Sequence, residues 1–191
     1  VAILARRSIR DVVRGFPGDG EDAQARAIAA TIDGWRILNL YVPNGAEVGH
    51  EKYRMKLAWL ERLRAYLDAD FDATDRLVVC GDFNVTFDDR DVYDPDEWRE
   101  KILCSTPERD ALRNVMDFGL VDALRVHHEE GGIFTWWEMR TRAFDRNAGL
   151  RIDHFLVTRE ARDACTSVDV DREARAGKSP SDHAPVVAVF E

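Results

Sequence analysis

The chain has 191 residues, enough for one domain over residues 1–191 with a sizeable core, and its 45% hydrophobic and 33% charged composition is ordinary for a globular protein. No apolar run approaches a membrane span and no signal-peptide pattern is present; three unpaired-looking cysteines (Cys80, Cys104, Cys165) fit reduced thiols, so a cytoplasmic monomer without a zinc site is expected. A formal net charge of −9 argues at first against nucleic acid, but the charge is unevenly spread.

Taken in chain order, Val1–Ala5 reads as an apolar strand, and Arg6, Arg7, Arg10 and Arg14 face only Asp11 in the stretch after it begins. The run Gly15-Phe16-Pro17-Gly18-Asp19-Gly20 reads as a loop. Ala27–Ile32 and Arg36–Val42 form a strand pair turning at Asp33-Gly34. Residues 50–69 place Tyr53, Leu57, Leu60, Leu63 and Leu67 at helical spacing, and Leu77–Cys80 is a buried strand. Residues 89–106 are irregular or partly helical, and a helix over 107–118 starts near Thr106-Pro107, with proline in the first turn. His127-His128, followed by Glu129-Glu130-Gly131-Gly132, reads as a solvated loop rather than a metal pair. Phe134–Trp137 is a candidate strand, and an arginine-rich loop with Arg140, Arg142 and Arg146 leads to Arg151. Ile152–Val157 and Pro185–Phe190 are the last strands, separated by a polar stretch at 169–183. The fold class is α/β: two packed, mainly antiparallel sheets with helices outside. A strand opening the chain without Met lacks neighbours, so the sequence reads as part of a longer protein, truncated at its N-terminal side.

Three short acidic motifs stand out because each adjoins an apolar run: Gly81-Asp82-Phe83-Asn84, Arg151-Ile152-Asp153-His154 and Ser181-Asp182-His183-Ala184-Pro185. Asp82 and Asn84 alternate with Phe83 and so share one face, although an Asx turn capping the strand explains them equally well alone. Asp153 beside an apolar strand needs a partner, either Arg151 in a structural ion pair or His183, whose tautomer a carboxylate would fix. Oxygen-rich motifs at strand ends suit a hard cation and a phosphate ester.

In combination, GDFN, RIDH and SDHAP resemble the endonuclease/exonuclease/phosphatase superfamily. Arg14-Gly15-Phe16-Pro17-Gly18-Asp19, Asn39-Leu40-Tyr41-Val42-Pro43-Asn44-Gly45 and the run from Phe134-Thr135-Trp136-Trp137 to Asp153 narrow the resemblance to exonuclease III-type AP endonucleases. The resemblance implies a four-layer α/β sandwich and a Mg²⁺-dependent repair phosphodiesterase, with Mn²⁺ as a substitute ion. It would cut 5′ to abasic sites in double-stranded DNA and act at 3′ ends as exonuclease or phosphatase. It implies that His183, oriented by Asp153, contacts the scissile phosphate and that Asp82 activates water or protonates the leaving 3′-oxygen. Asn84 would hydrogen-bond the phosphate or the water, and Tyr41 would donate to a non-bridging oxygen. Asp182, Asp82 and Asn84 would lie at the metal, and Trp136 and Trp137 at the abasic sugar, with one of the two in the core. Asn44, Arg140, Arg142 and Arg146 would reach DNA phosphates. Full-length relatives begin with a strand ending in Asn and a second ending in a metal-binding Glu. Neither motif occurs here, which favours one rival expectation, a remnant that binds DNA without turnover; the other, a different phosphodiesterase of the superfamily, is disfavoured by Trp136-Trp137 and the arginine-rich stretch.

Overall fold

Asp33 and Gly34 both take positive φ, 48° and 83°, the left-handed pair that an Asp-Gly reversal needs. This turn joins β2 (Ala27–Ile32) to β3 (Trp35–Tyr41) as an antiparallel hairpin. The computed structural model describes residues 1–19 and 24–191. Across the sheet from β3, β1 (Arg10–Arg14) pairs antiparallel with β2. After β3 the chain crosses over through α1 (Glu51–Asp70) and returns as β4 (Leu77–Asp82), parallel to β3. Three further helices follow: α2 (Pro95–Trp98), α3 (Thr106–Met116) and, after the short edge strand β5 (Val121–Asp122), α4 (Ala123–His127). The chain then inserts β6 (Asp153–Val157) antiparallel between β4 and β5, so the large sheet runs β1-β2-β3-β4-β6-β5. After α5 (Arg159–Ala164), β7 (Cys165–Val170) and β8 (Val186–Phe190), separated by α6 (Arg172–Arg175), form a second, two-stranded antiparallel sheet.

Neighbouring residues of β4 show the layering. Val79 points to a cluster with Leu38, Leu40, the α1 side chains Leu60, Leu63 and Leu67, and Leu112 and Val115 of α3. Val78 points the other way, to a cluster with Val157, Ala161 of α5 and Val168 of β7. A strand buried on both faces explains the unbroken apolar run Leu77–Cys80. Each fully buried leucine of α1 contributes about 2 kcal/mol of transfer free energy to this arrangement. The α/β class with two packed sheets and flanking helices is thus present, and all three cysteines are free.

Several local expectations differ. Val1–Ala5 is not a strand: Leu4 is 94% exposed, and the bonds Asn39 Nδ2 to Ala2 O (2.8 Å) and Val1 N to Ala25 O (3.1 Å) hold the segment rather than a ladder. Apolar composition alone makes no strand without a partner edge. Phe134–Trp137 forms isolated bridges, Trp136 to Leu150 and to His183, rather than a strand. Of the glycine-rich loop, residues 15–19 are irregular and Gly20 lies outside the described residues. His127 ends α4, exposed, whereas His128 is tied down, Nε2 lying 3.1 Å from Val168 O and Nδ1 3.1 Å from Glu130. Arg151 does not join a surface cluster of arginines; it is fully buried.

Candidate active site

Strand register builds the centre of the site. Tyr41, last in β3, pairs with Asp82, last in β4, and Asp82 pairs with Asp153, first in β6. Paired residues of adjacent strands project to the same face, so three polar side chains stand in a row at one end of a sheet whose interior is apolar. Gly81 permits the approach: a Cβ there would lie 2.1 Å from Leu40 O, and its φ is 127°. Past β4, Asn84 takes a left-handed φ of 50°, and its backbone N–H donates to Asp82 Oδ1 (2.8 Å) while Nδ2 donates to Asp82 Oδ2 (2.9 Å). The Asx turn is therefore real, and it, rather than strand alternation, brings Asn84 beside Asp82. Phe83 packs away from the site into the core.

His183 comes from the segment before β8, held against Trp136 by a bridge. Its Nδ1 lies 2.8 Å from Asp153 Oδ2, which settles the partner of Asp153. Arg151 instead engages Asp91 (Nε to Oδ1, 2.8 Å), Asp122 (Nη2 to Oδ2, 2.6 Å) and His154. Trp136 Nε1 donates to Asp182 Oδ2 (3.0 Å), placing that pair beside His183. Asn44 Nδ2 donates to Asn84 Oδ1 (3.0 Å), bringing the 42–45 loop into the same network. Tyr41 is 43% exposed, with the Arg26 guanidinium 4.8 Å from its ring centroid.

The structure thus brings together Tyr41, Asn44, Asp82, Asn84, Asp153, Asp182, His183 and Trp136. It does not bring in Trp137, which is buried beside Phe134 and Phe144 and hydrogen-bonds Asn147, because the chain alternates its two tryptophans between site and core. Arg140, Arg142 and Arg146 lie exposed on the following loop, Arg142 bonded to Asp145. Asn84 has no amide hydrogen left for a phosphate, since Nδ2 donates to Val42 O and Asp82. Its amide nitrogen holds Asp82 and Val42 O, while its Oδ1 accepts from Asn44.

Two residues escape sequence reading. Lys56 is fully buried, its amine donating to Asn84 O (2.6 Å), Asn44 O (3.2 Å) and Glu108. A lysine on the apolar face of α1, in line with Tyr53, Leu60 and Leu63, is the signal that betrays it. Thr135 is also fully buried, and its Oγ1 accepts from the backbone N–H of Ile152 and of Asp153, both at 3.1 Å.

Electrostatics follow from this crowding. Burial and the facing Asp153 carboxylate push Asp82 up to about 7, against the pull of His183. Burial would lower His183, but the bond and charge of Asp153 outweigh it, and the net direction is upward. A divalent cation would offset the charge of the facing carboxylates, and Asp82, Asn84 and Asp182 carry oxygen atoms of the hardness such an ion prefers. Among the described residues no group of three or more His, Cys, Asp or Glu side chains is arranged to hold a metal ion.

A family model described as the Endonuclease/Exonuclease/phosphatase family matches residues 1–183. The exodeoxyribonuclease III of Haemophilus influenzae is 35% identical over 203 residues, taking in all of this chain and 76% of that protein. A Bacillus subtilis exodeoxyribonuclease is 28% identical over 190 residues, 99% of this chain and 73% of that protein. Among solved structures, the 3′ phosphatase NExo from Neisseria, bound to a product DNA hairpin, matches with a TM-score of 0.92 at 42% identity, covering 98% of this chain and 73% of that one. An AP endonuclease from Archaeoglobus fulgidus matches with a TM-score of 0.91 at 36% identity, covering 97% and 72% respectively.

Proposed function

The chain belongs to the endonuclease/exonuclease/phosphatase family, as a nuclease of the exodeoxyribonuclease III and AP endonuclease type, and from that premise we propose that it hydrolyses the phosphodiester 5′ to an abasic site in duplex DNA in a Mg²⁺-dependent reaction. The observation that carries the reading is the row Tyr41–Asp82–Asp153 closed by the Asp153–His183 bond. Asp153 accepts from Nδ1–H of His183, which leaves Nε2–H to donate to a non-bridging phosphate oxygen. The upward shift of His183 favours the cationic donor, matched to an anionic phosphate. Tyr41, exposed at the end of β3, offers its phenol to a second oxygen. Asp82, raised by burial and by the facing Asp153, is placed to take a proton from water or give one to a leaving oxygen, and a cation bound beside it would lower that value and favour the base. Trp136 offers an apolar wall for an extrahelical sugar, its indole N–H anchored on Asp182. A cation bound by Asp82, Asn84 and Asp182 would offset charge on the phosphate. Activity at 3′ ends, the property named for the Neisseria neighbour, belongs to the same reading.

Cleavage of a labelled duplex with one abasic analogue, in Mg²⁺ and in EDTA, tests it. The expected result is a metal-dependent cut on the 5′ side, reduced by about 10²-fold or more in Asp153→Ala. An intact substrate under every divalent metal tried would reject the reading.

A further inference from the structure

Two segments leave the active site and converge beyond it. The loop after Trp137 passes through Met139, Arg142 and Phe144, and the segment leading to Asp182 passes through Arg175 and Pro180. Between them lies a pocket of about 400 Å³. Arg175 lines it and is only 7% exposed, its guanidinium stacked 4.6 Å from the Phe144 ring centroid. Its Nε is buried without a partner, and among the described residues no carboxylate pairs with it. Arg172 stacks on the same Phe144 ring at 4.9 Å and on Trp137 at 5.1 Å, and bonds only the neutral Asn147 side chain. Arg142 lines the facing wall, and Asp145, which also lines the pocket, balances it through bonds of 3.1 and 2.9 Å. Two guanidinium groups therefore stack on the Phe144 ring and a third lines the same pocket, with a single carboxylate among their bonded partners, on a protein whose formal net charge is −9. A buried arginine without an anion is unfavourable unless an anion comes to it, and guanidinium forks suit phosphate oxygens.

We propose that this pocket binds a phosphate group, and that in the working enzyme the group is a phosphodiester of the bound strand outside the scissile position. The second half of that statement rests on the nuclease reading. Both walls continue directly into site residues, the loop from Trp136 and the other segment into Asp182 and His183, so a strand seated at the site passes the pocket's rim. Arg175 is thus a binding residue that fixes the strand's path and touches no reacting atom.

The test is equilibrium binding, in EDTA, of a labelled duplex carrying an abasic analogue, measured across a salt series. Arg175→Gln is expected to weaken binding about tenfold and to flatten the slope of log K against log salt by about one, with Arg175→Lys keeping the slope. In a set of duplexes each bearing one uncharged methylphosphonate, one position should weaken the native chain and leave Arg175→Gln unaffected. An unchanged slope in a folded Arg175→Gln, or equal losses for both proteins at every position, overturns the proposal. If that variant does not fold, Arg142→Gln on the exposed wall takes its place with the same expectations. Should the native chain bind no duplex, the nuclease reading falls separately, and inorganic phosphate decides the pocket. At matched ionic strength it must raise the melting temperature of the native chain and not of Arg175→Gln; any other pattern overturns the pocket too.

Discussion

Thr135 holds both members of the Asp153–His183 pair without touching either side chain. Its hydroxyl accepts from the N–H groups of Ile152 and Asp153, and its carbonyl accepts from Ala184 N at 2.8 Å. Thr135→Val, nearly isosteric, should strand two buried donors, at a cost on the order of 1–3 kcal/mol by urea unfolding. It should also lower kcat on abasic duplex with KM little changed, since it disturbs orientation rather than binding. Asp91 governs acid stability. Burial alone would raise it, but Arg151 and Arg125 overcome burial and hold it down at about 2. Because the folded value lies below the unfolded value of about 3.9, its stabilisation is complete above the unfolded value. It is lost as pH falls toward 2, by an amount on the order of 2 kcal/mol. Urea midpoints followed from pH 5 to 2 should show this decline, and Asp91→Asn should flatten it while weakening the fold at neutral pH. The Asp153–His183 contact was legible in sequence only as one of two alternatives. What excludes the other is that Arg151 is claimed by Asp91, 60 positions away, and Asp122, 29 away, and separations of that size leave no trace in local pattern.

The strands that carry the motifs announce themselves because they are buried on both faces and read as apolar runs, as Leu77–Cys80 and Phe155–Val157 do. Strands at the margins do not. β1 is Arg-Asp-Val-Val-Arg, exposed along its length, and β7 is Cys-Thr-Ser-Val-Asp-Val, half polar because one side faces outward. Their hydrogen-bond partners, not their composition, make them strands. α1 shows the opposite case, where a helix is easily recognised but its functional residue is not. Lys56 ties the carbonyls of Asn44 and Asn84 together from below and leans on Glu108, which also accepts from Ser105 N and Oγ. Lys56→Met should destabilise the protein by about 3–5 kcal/mol, because Glu108 is left charged and buried. Adding Glu108→Gln should recover much of that loss in thermal melts. Cleavage should stay impaired in the double variant, since the two asparagine loops remain untethered; recovery of turnover along with stability would show that Lys56 serves the fold alone.

Over the whole molecule, the side chains gathered at the candidate site are drawn from five separate stretches of sequence: Tyr41 and Asn44, Asp82 and Asn84, Trp136, Asp153, and Asp182 with His183. Charge follows the same division, with an acidic total and guanidinium groups concentrated on the loop after Trp137 and on α6, the side from which a polyanion would approach. The pairing order adds a temporal consequence. β6 reaches back past α2, α3, β5 and α4 to lie against β4, and His183 must then find Asp153 thirty positions upstream. Contacts of such long separation form after local ones, when most of the loop entropy has already been overcome. On that ordering, refolding should restore the first hairpin and α1 before the phosphate-cleaving centre, so nuclease activity is expected to return only at the end of folding.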